Sequence, residues 1–104
     1  MYDNFDALIL SAGLSTRMGK TKALLNWHGK KLIEFHIDVL NDLGIRNINL
    51  VLGHDKEKII EAVKRKKIKI IINKNYLGGK STSILEGINN IDKDSKNLIL
   101  ISVD

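Results

Sequence analysis

The residues Gly13-Leu14-Ser15-Thr16-Arg17-Met18-Gly19-Lys20-Thr21-Lys22 set two glycines among three cations. Glycines let the backbone turn tightly and bring its N–H groups close to an anion. Arg17 offers a planar fork that matches phosphate oxygens, and Lys22 offers a mobile point charge. The chemistry such a segment can do is to cradle phosphate. The alternative is a strand that ends at Gly13, with Arg17 and Lys20 simply solvated.

Two familiar phosphate loops do not fit. A Walker loop needs four residues between its first Gly and Gly-Lys-Thr, whereas Gly13 and Gly19 enclose five. The second Gly-Lys-Ser, Gly79-Lys80-Ser81, would need Gly where Lys74 stands. The dinucleotide fingerprint would need Gly at Ser15.

A loop of this kind works only if rigid elements hold it. Asn4–Ala12 contains the apolar run Ala7-Leu8-Ile9-Leu10 and reads as a buried strand feeding the loop. Leu32, Ile33, Ile37, Leu40 and Leu43 recur at helical spacing, with Gly44 as C-cap. Asn47–Leu52 is a second strand. Asp55 can cap a helix carrying Ile59, Ile60 and Val63. Ile68–Ile72 is a third strand, and Gly78-Gly79 marks a loop. Ser83-Ile84-Leu85-Glu86 has the pattern of a capping box ahead of Ile88 and Ile91. Leu98–Val103 is the fourth strand. This alternation predicts a Rossmann-like α/β/α fold with a mainly parallel sheet, both faces covered. Ligands of such sheets bind beyond the carboxyl ends of the strands. The loops that matter are therefore 13–22, 53–55, 73–81 and whatever follows Val103.

Composition narrows the classes. The 104 residues suit one domain, residues 1–104, and not two. There is no Cys, which excludes disulfides and Cys-based metal sites. Apolar runs are strand-sized, so no membrane partner is expected, and nothing resembles a secretion signal; a cytoplasmic chain is the expectation. The net charge is +5, with cations crowded at Lys64, Arg65, Lys66 and Lys67. These sit at a helix end, where cations are favoured, and no aromatic residues interleave, so nucleic acid is not the expected partner. His28, His36 and His54 are too scattered for a zinc site, and Trp27 and Tyr76 read as packing residues. The sequence stops at Asp104, at the end of its fourth strand, which reads as a truncated domain.

Leu10-Ser11-Ala12-Gly13-Leu14-Ser15-Thr16-Arg17-Met18-Gly19, followed by Lys22 and Leu24-Leu25, resembles the signature loop of the MobA-like nucleotidyltransferases. The resemblance continues through Gly29-Lys30-Lys31-Leu32-Ile33-Glu34. At Gly78-Gly79-Lys80-Ser81-Thr82-Ser83-Ile84 it is similar to the molybdenum cofactor cytidylyltransferases. It implies a nucleotide-diphospho-sugar transferase type of fold. Backbone at Ala12, Gly13 and Leu14, with Arg17 and Lys22 as the catalytic cations, would hold the triphosphate. Gly79, Ser81 and Ser83 would face the base or sugar, and Asp104 would hold Mg²⁺. The reaction implied is transfer of CMP from CTP to a phosphorylated acceptor such as molybdopterin. Acceptors of the wider class are sugar phosphates, phosphocholine and isoprenoid precursors, and a non-catalytic nucleotide-binding module is the remaining reading. Leu14 stands where the guanylyl branch has Gly, which favours the cytidylyl branch. Ser11 replaces the usual Ala, and Val103-Asp104 replaces a Gly-Asp ending, so Asp104 is assigned by position.

Overall fold

A computed structural model describes residues 5–11, 22–53, 56–91 and 97–103. The chain runs β1 (Phe5–Ser11), β2 (Asn26–Trp27), β3 (Lys30–Lys31), α1 (Leu32–Asp42), β4 (Asn47–Leu52), α2 (Lys56–Val63), β5 (Lys69–Ile72), α3 (Lys80–Asn90) and β6 (Asn97–Ser102). Short 3₁₀ turns at Lys22–Leu24 and Tyr76–Gly78 complete it. The main sheet has the order β5-β4-β1-β6, and every described pairing within it is parallel. The expected fold class is the observed one.

Strand parity sorts the side chains. Ala7 and Ile9 of β1, with Ile48, Leu50 and Leu52 of β4, face Ile33, Ile37 and Leu40 of α1 and Ile59 and Val63 of α2. Leu8 and Leu10, with Val51 and Ile71, face the other way, toward Ile84 of α3 and Tyr76. Each large aliphatic side chain removed from water contributes about 1.5–3 kcal/mol. Helices thus cover both faces of β1 and β4. Gly87 lets α3 come close, since a Cβ there would lie 2.6 Å from the Leu8 side chain.

The C-terminus of α1 follows the expected cap. Gly44 has φ 86° and its N–H donates to Asn41 O at 3.0 Å, while Ile45 N–H donates to Leu40 O at 3.1 Å. These are the paired bonds of a Schellman motif. The proposed cap Asp55 lies outside the described residues. His28 (φ 51°) and Gly29 (φ 83°) form the two-residue turn of the β2–β3 hairpin, an element the sequence pattern did not reveal.

Two expectations need correction. α3 begins at Lys80, with Gly79 as N-cap, so Ser83 lies inside the first turns and Ser83–Glu86 is not a capping box. Nor, among the described residues, does a helix cover the α3-side face of β6. Leu98 and Leu100, which point to the α3 side by their pairing with Asp6 and Leu8, are 40% and 48% exposed because α3 lies over β1, β4 and β5.

Asp38 of α1 ties three elements together. Lys30 Nζ of β3 approaches it at 2.5 Å and Lys66 Nζ, beyond α2, at 2.8 Å. Hydrogen bonds from Lys30 first and Lys66 second hold its carboxyl below the ordinary 3.8. A depressed carboxyl pKa contributes stability that is present above the unfolded value and lost as pH falls through the folded one. Asp38→Asn is therefore expected to lower the urea midpoint at pH 7. The gap from the unsubstituted protein should narrow below about pH 4 and close beneath the lowered pKa. Urea titrations across that range test this. Because the pair is partly exposed, salt should shrink the gap as well.

Candidate functional site

The sheet register levels four strand ends. Ser11 lies beside Leu52, Leu52 beside Ile72, and Leu10 beside Ser102. Val103 N–H then donates to Leu10 O at 3.0 Å, which fixes the exit of β6 against the exit of β1. The chain winds outward from β1 to β4 to β5 and then crosses back to place β6 on the far side of β1. The reversal between β1 and β6 is the topological switch point where ligands of open parallel sheets bind. β1, β4, β5 and β6 all end at this edge, at Ser11, Leu52, Ile72 and Ser102.

On the α1 and α2 side of the sheet lies the turn Lys22–Leu24. Ala23 is buried and Leu24 packs beside it in the core shared with α1 and α2. Leu25 N–H donates to Lys22 O at 3.0 Å, and Leu32 N–H to Leu25 O at 2.8 Å. The Lys22 backbone is thereby anchored while its side chain is exposed. Among the described residues it has no acidic partner.

On the α3 side, the exit of β5 is built around Asn73, a residue that sequence reasoning did not single out. It is buried just past β5, and its N–H donates to Leu52 O at 2.7 Å. Its Nδ2 donates to Thr82 Oγ1 at 3.0 Å and to Ser83 Oγ at 2.8 Å, and its Oδ1 accepts from Asn75 N–H at 2.9 Å. The Thr82 hydroxyl lies 2.7 Å from Gly79 O and 3.0 Å from Asn75 O. Gly79 turns the chain into α3 at φ 99°, a conformation open to Gly and strained for other residues. Ser81 is exposed on the first turn of α3, beside Gly79, and Ser83 is buried against Asn73. A polar residue directly after three consecutive isoleucines was the available signal for Asn73.

Ala12, Gly13, Leu14 and Arg17, as well as His54 and Asp104, lie outside the described residues. Ser11, the last described residue before that loop, is 1% exposed and its Oγ has no hydrogen-bond partner among the described residues. A buried hydroxyl left unpaired carries a desolvation cost of about 1–3 kcal/mol. Trp27 is half exposed and meets His28 and Phe35 edge-on, with ring centroids 4.9 and 6.4 Å apart. His36 sits mid-helix, where burial lowers its pKa below 6.5. A cleft of about 550 Å³ lined by Asp6, Arg46, Asn47, Lys67 and Lys69 sits at the amino ends of the strands, away from this edge. No helix among the described residues is long and apolar enough to cross a membrane.

Residues 7–104 match the MobA-like NTP transferase domain. The chain belongs to this family. It is 37% identical over 81 residues to the bifunctional protein GlmU of Hydrogenobaculum sp. (strain Y04AAS1), a match covering 76% of this chain and 18% of that protein. It is 46% identical over 43 residues to a probable molybdenum cofactor guanylyltransferase of Natranaerobius thermophilus, covering 41% of this chain and 21% of that one. Among solved structures, the CTP:phosphocholine cytidylyltransferase of Streptococcus pneumoniae aligns with a TM-score of 0.81 at 27% identity, over 96% of this chain and 45% of that one. The chain thus spans less than half the length of each of these proteins. The family is one of nucleotidyltransferases, as the signature loop led us to expect.

Proposed function

We propose that this chain supplies the nucleotide-holding part of a nucleotidyltransferase that moves CMP from CTP to a phosphorylated acceptor such as molybdopterin. The observation that carries the reading is the arrangement of the carboxyl edge. Four strands end level there, with the switch point between β1 and β6. The Lys22–Leu24 turn packs on the α1 and α2 side of the sheet and the Gly79–Ser83 turn is tied to Asn73 on the α3 side, and Lys22 has no acidic partner among the described residues. In this reading the backbone of Ala12, Gly13 and Leu14, with Arg17 and Lys22, holds the triphosphate. Gly79, Ser81 and Ser83 face the base or sugar. The acceptor oxygen attacks the α-phosphorus in line and pyrophosphate leaves. The protein's part is positioning and neutralisation of developing charge.

Among the described residues no three His, Asp or Glu side chains gather as a cation site. The carboxylate assigned to Mg²⁺ is Asp104, and the bond from its neighbour Val103 to Leu10 supports that assignment. Bound Mg²⁺ would neutralise charge on phosphate oxygens as a Lewis acid. Leu14 in the signature loop supports the cytidylyl branch. The likeness to the streptococcal cytidylyltransferase supports a second reading of the acceptor, with phosphocholine or a sugar phosphate in its place.

Calorimetric titration with CTP, GTP and ATP, with and without Mg²⁺, tests the nucleotide half of the proposal. Magnesium-dependent preference for CTP is the expected result. Absence of binding to all three would remove it, and preference for GTP would move the protein to the guanylyl branch.

A further inference from the structure

We propose that Asn73 is a positioning residue that sets base discrimination. It acts by tying the Gly79–Ser83 turn to the end of β5. The inference rests on the reading that this turn faces the base.

Apolar packing of Tyr76 and Ile84 against Leu8, Leu10, Val51 and Ile71 holds the ends of this segment, but the turn between them is polar. Gly79, the N-cap of α3, has no side chain to bond the first N–H groups, and glycine is the residue least restrained in conformation. The Tyr76–Gly78 turn before it leaves Leu77 and Gly78 exposed. The segment's buried polar tie to the sheet is one amide. Asn73 uses Nδ2 for two hydroxyls of the first helical turns and Oδ1 for Asn75 N–H, and its own N–H is bonded to β4. Three side-chain bonds and one backbone bond thus connect β4, β5, the 73–79 turn and α3. Thr82 extends the tie back to the carbonyls of Gly79 and Asn75. A Gly or Ser that reads a base edge must be held within a fraction of an ångström, which only supporting contacts can do. Asn73 is itself buried, so its effect on a ligand runs through Gly79, Ser81 and Ser83. It is on the α3 face, whereas Lys22 is anchored on the α1 and α2 face, so the two can be perturbed separately.

The test compares dissociation constants for CTP, GTP, UTP, ATP and inorganic tripolyphosphate, the last having no base to read. Asn73→Ala is expected to compress the spread among the four nucleotides about tenfold, the worth of one buried hydrogen bond. Tripolyphosphate affinity should stay within about twofold, whereas a general loss of structure would lower both. Thr82→Val, nearly isosteric, removes one partner of the amide and should compress the spread in the same direction. It carries the test if Asn73→Ala does not fold. Retention of the full spread in the folded variants would overturn the inference and leave the phosphate reading standing. An unsubstituted protein that binds tripolyphosphate but does not discriminate bases would do the same. Failure of the unsubstituted protein to bind tripolyphosphate and all four nucleotides would overturn both.

Discussion

On the proposed reading, Lys22→Ala in the whole enzyme is expected to slow pyrophosphate release about 10²–10³-fold, the usual consequence of removing one electrostatic donor from a preorganised site. Circular dichroism and the melting temperature should stay unchanged. The reason for the split lies in how the residue is attached. The structural bond at Lys22 uses its backbone carbonyl, which accepts from Leu25 N–H, and alanine retains it. The burial that docks this turn belongs to Ala23, with Leu24 packed beside it. The exposed ammonium contributes nothing to that docking. Lys22→Arg separates charge from shape, because a guanidinium keeps the charge but spreads it over a planar fork. Partial recovery by Arg would assign the role to charge. Unchanged release in Lys22→Ala would sink the role of Lys22 altogether.

The elements that the sequence made legible are those whose pattern is local. β1, β4 and β5 announce themselves as apolar runs, and α1 by the spacing of Ile33, Ile37 and Leu40. Gly44 marks its end because only a residue at ease with positive φ completes the motif. The family was legible for a different reason, in the long gapless stretch Leu10–Gly19, and the match over residues 7–104 bears it out. What failed depended on partners distant in sequence. Ser83 and Glu86 have the spacing of a capping box, yet Ser83 bonds Asn73, ten residues back, and the helix starts a turn earlier at a glycine with no capping side chain. Leu98 and Leu100 read as doubly buried, because a run of apolar residues does not say where the covering helix stops. The β2–β3 hairpin is two residues a side, too short for any periodicity to register. Asn73 has no motif of its own. Its one local signal is a polar side chain directly after three isoleucines, and what it ties together shows once β5 and α3 stand beside one another.

Gly53→Ala is expected to destabilise the protein by about 1–3 kcal/mol, the range for overfilling a packed site. For a chain of this size each kcal/mol moves the melting temperature by roughly 4–8 °C. Gly53 follows β4, and a Cβ there would lie 2.5 Å from Tyr76 Cβ, 2.7 Å from Cγ and 2.9 Å from Cδ1. The nearest of these atoms is the one bonded to the backbone, so no change of rotamer relieves the contact. Either β4 or the Tyr76 turn must move. Tyr76 packs against the cluster of Leu8, Leu10, Val51 and Ile71, and its turn is continuous with Asn73 on one side and Gly79 on the other. The strain is therefore delivered to the wall proposed to face the base. Tyr76→Gly removes the opposing Cβ, so the two substitutions should not add. In a Tyr76→Gly background the alanine should cost little, and restricting the unfolded chain can even contribute about 0.4–1 kcal/mol in its favour. Urea midpoints of the four proteins, with the slope checked for constancy, measure the coupling. A cost for Gly53→Ala that is the same in both backgrounds would show that the close approach of β4 to the Tyr76 turn is not what requires glycine at this position.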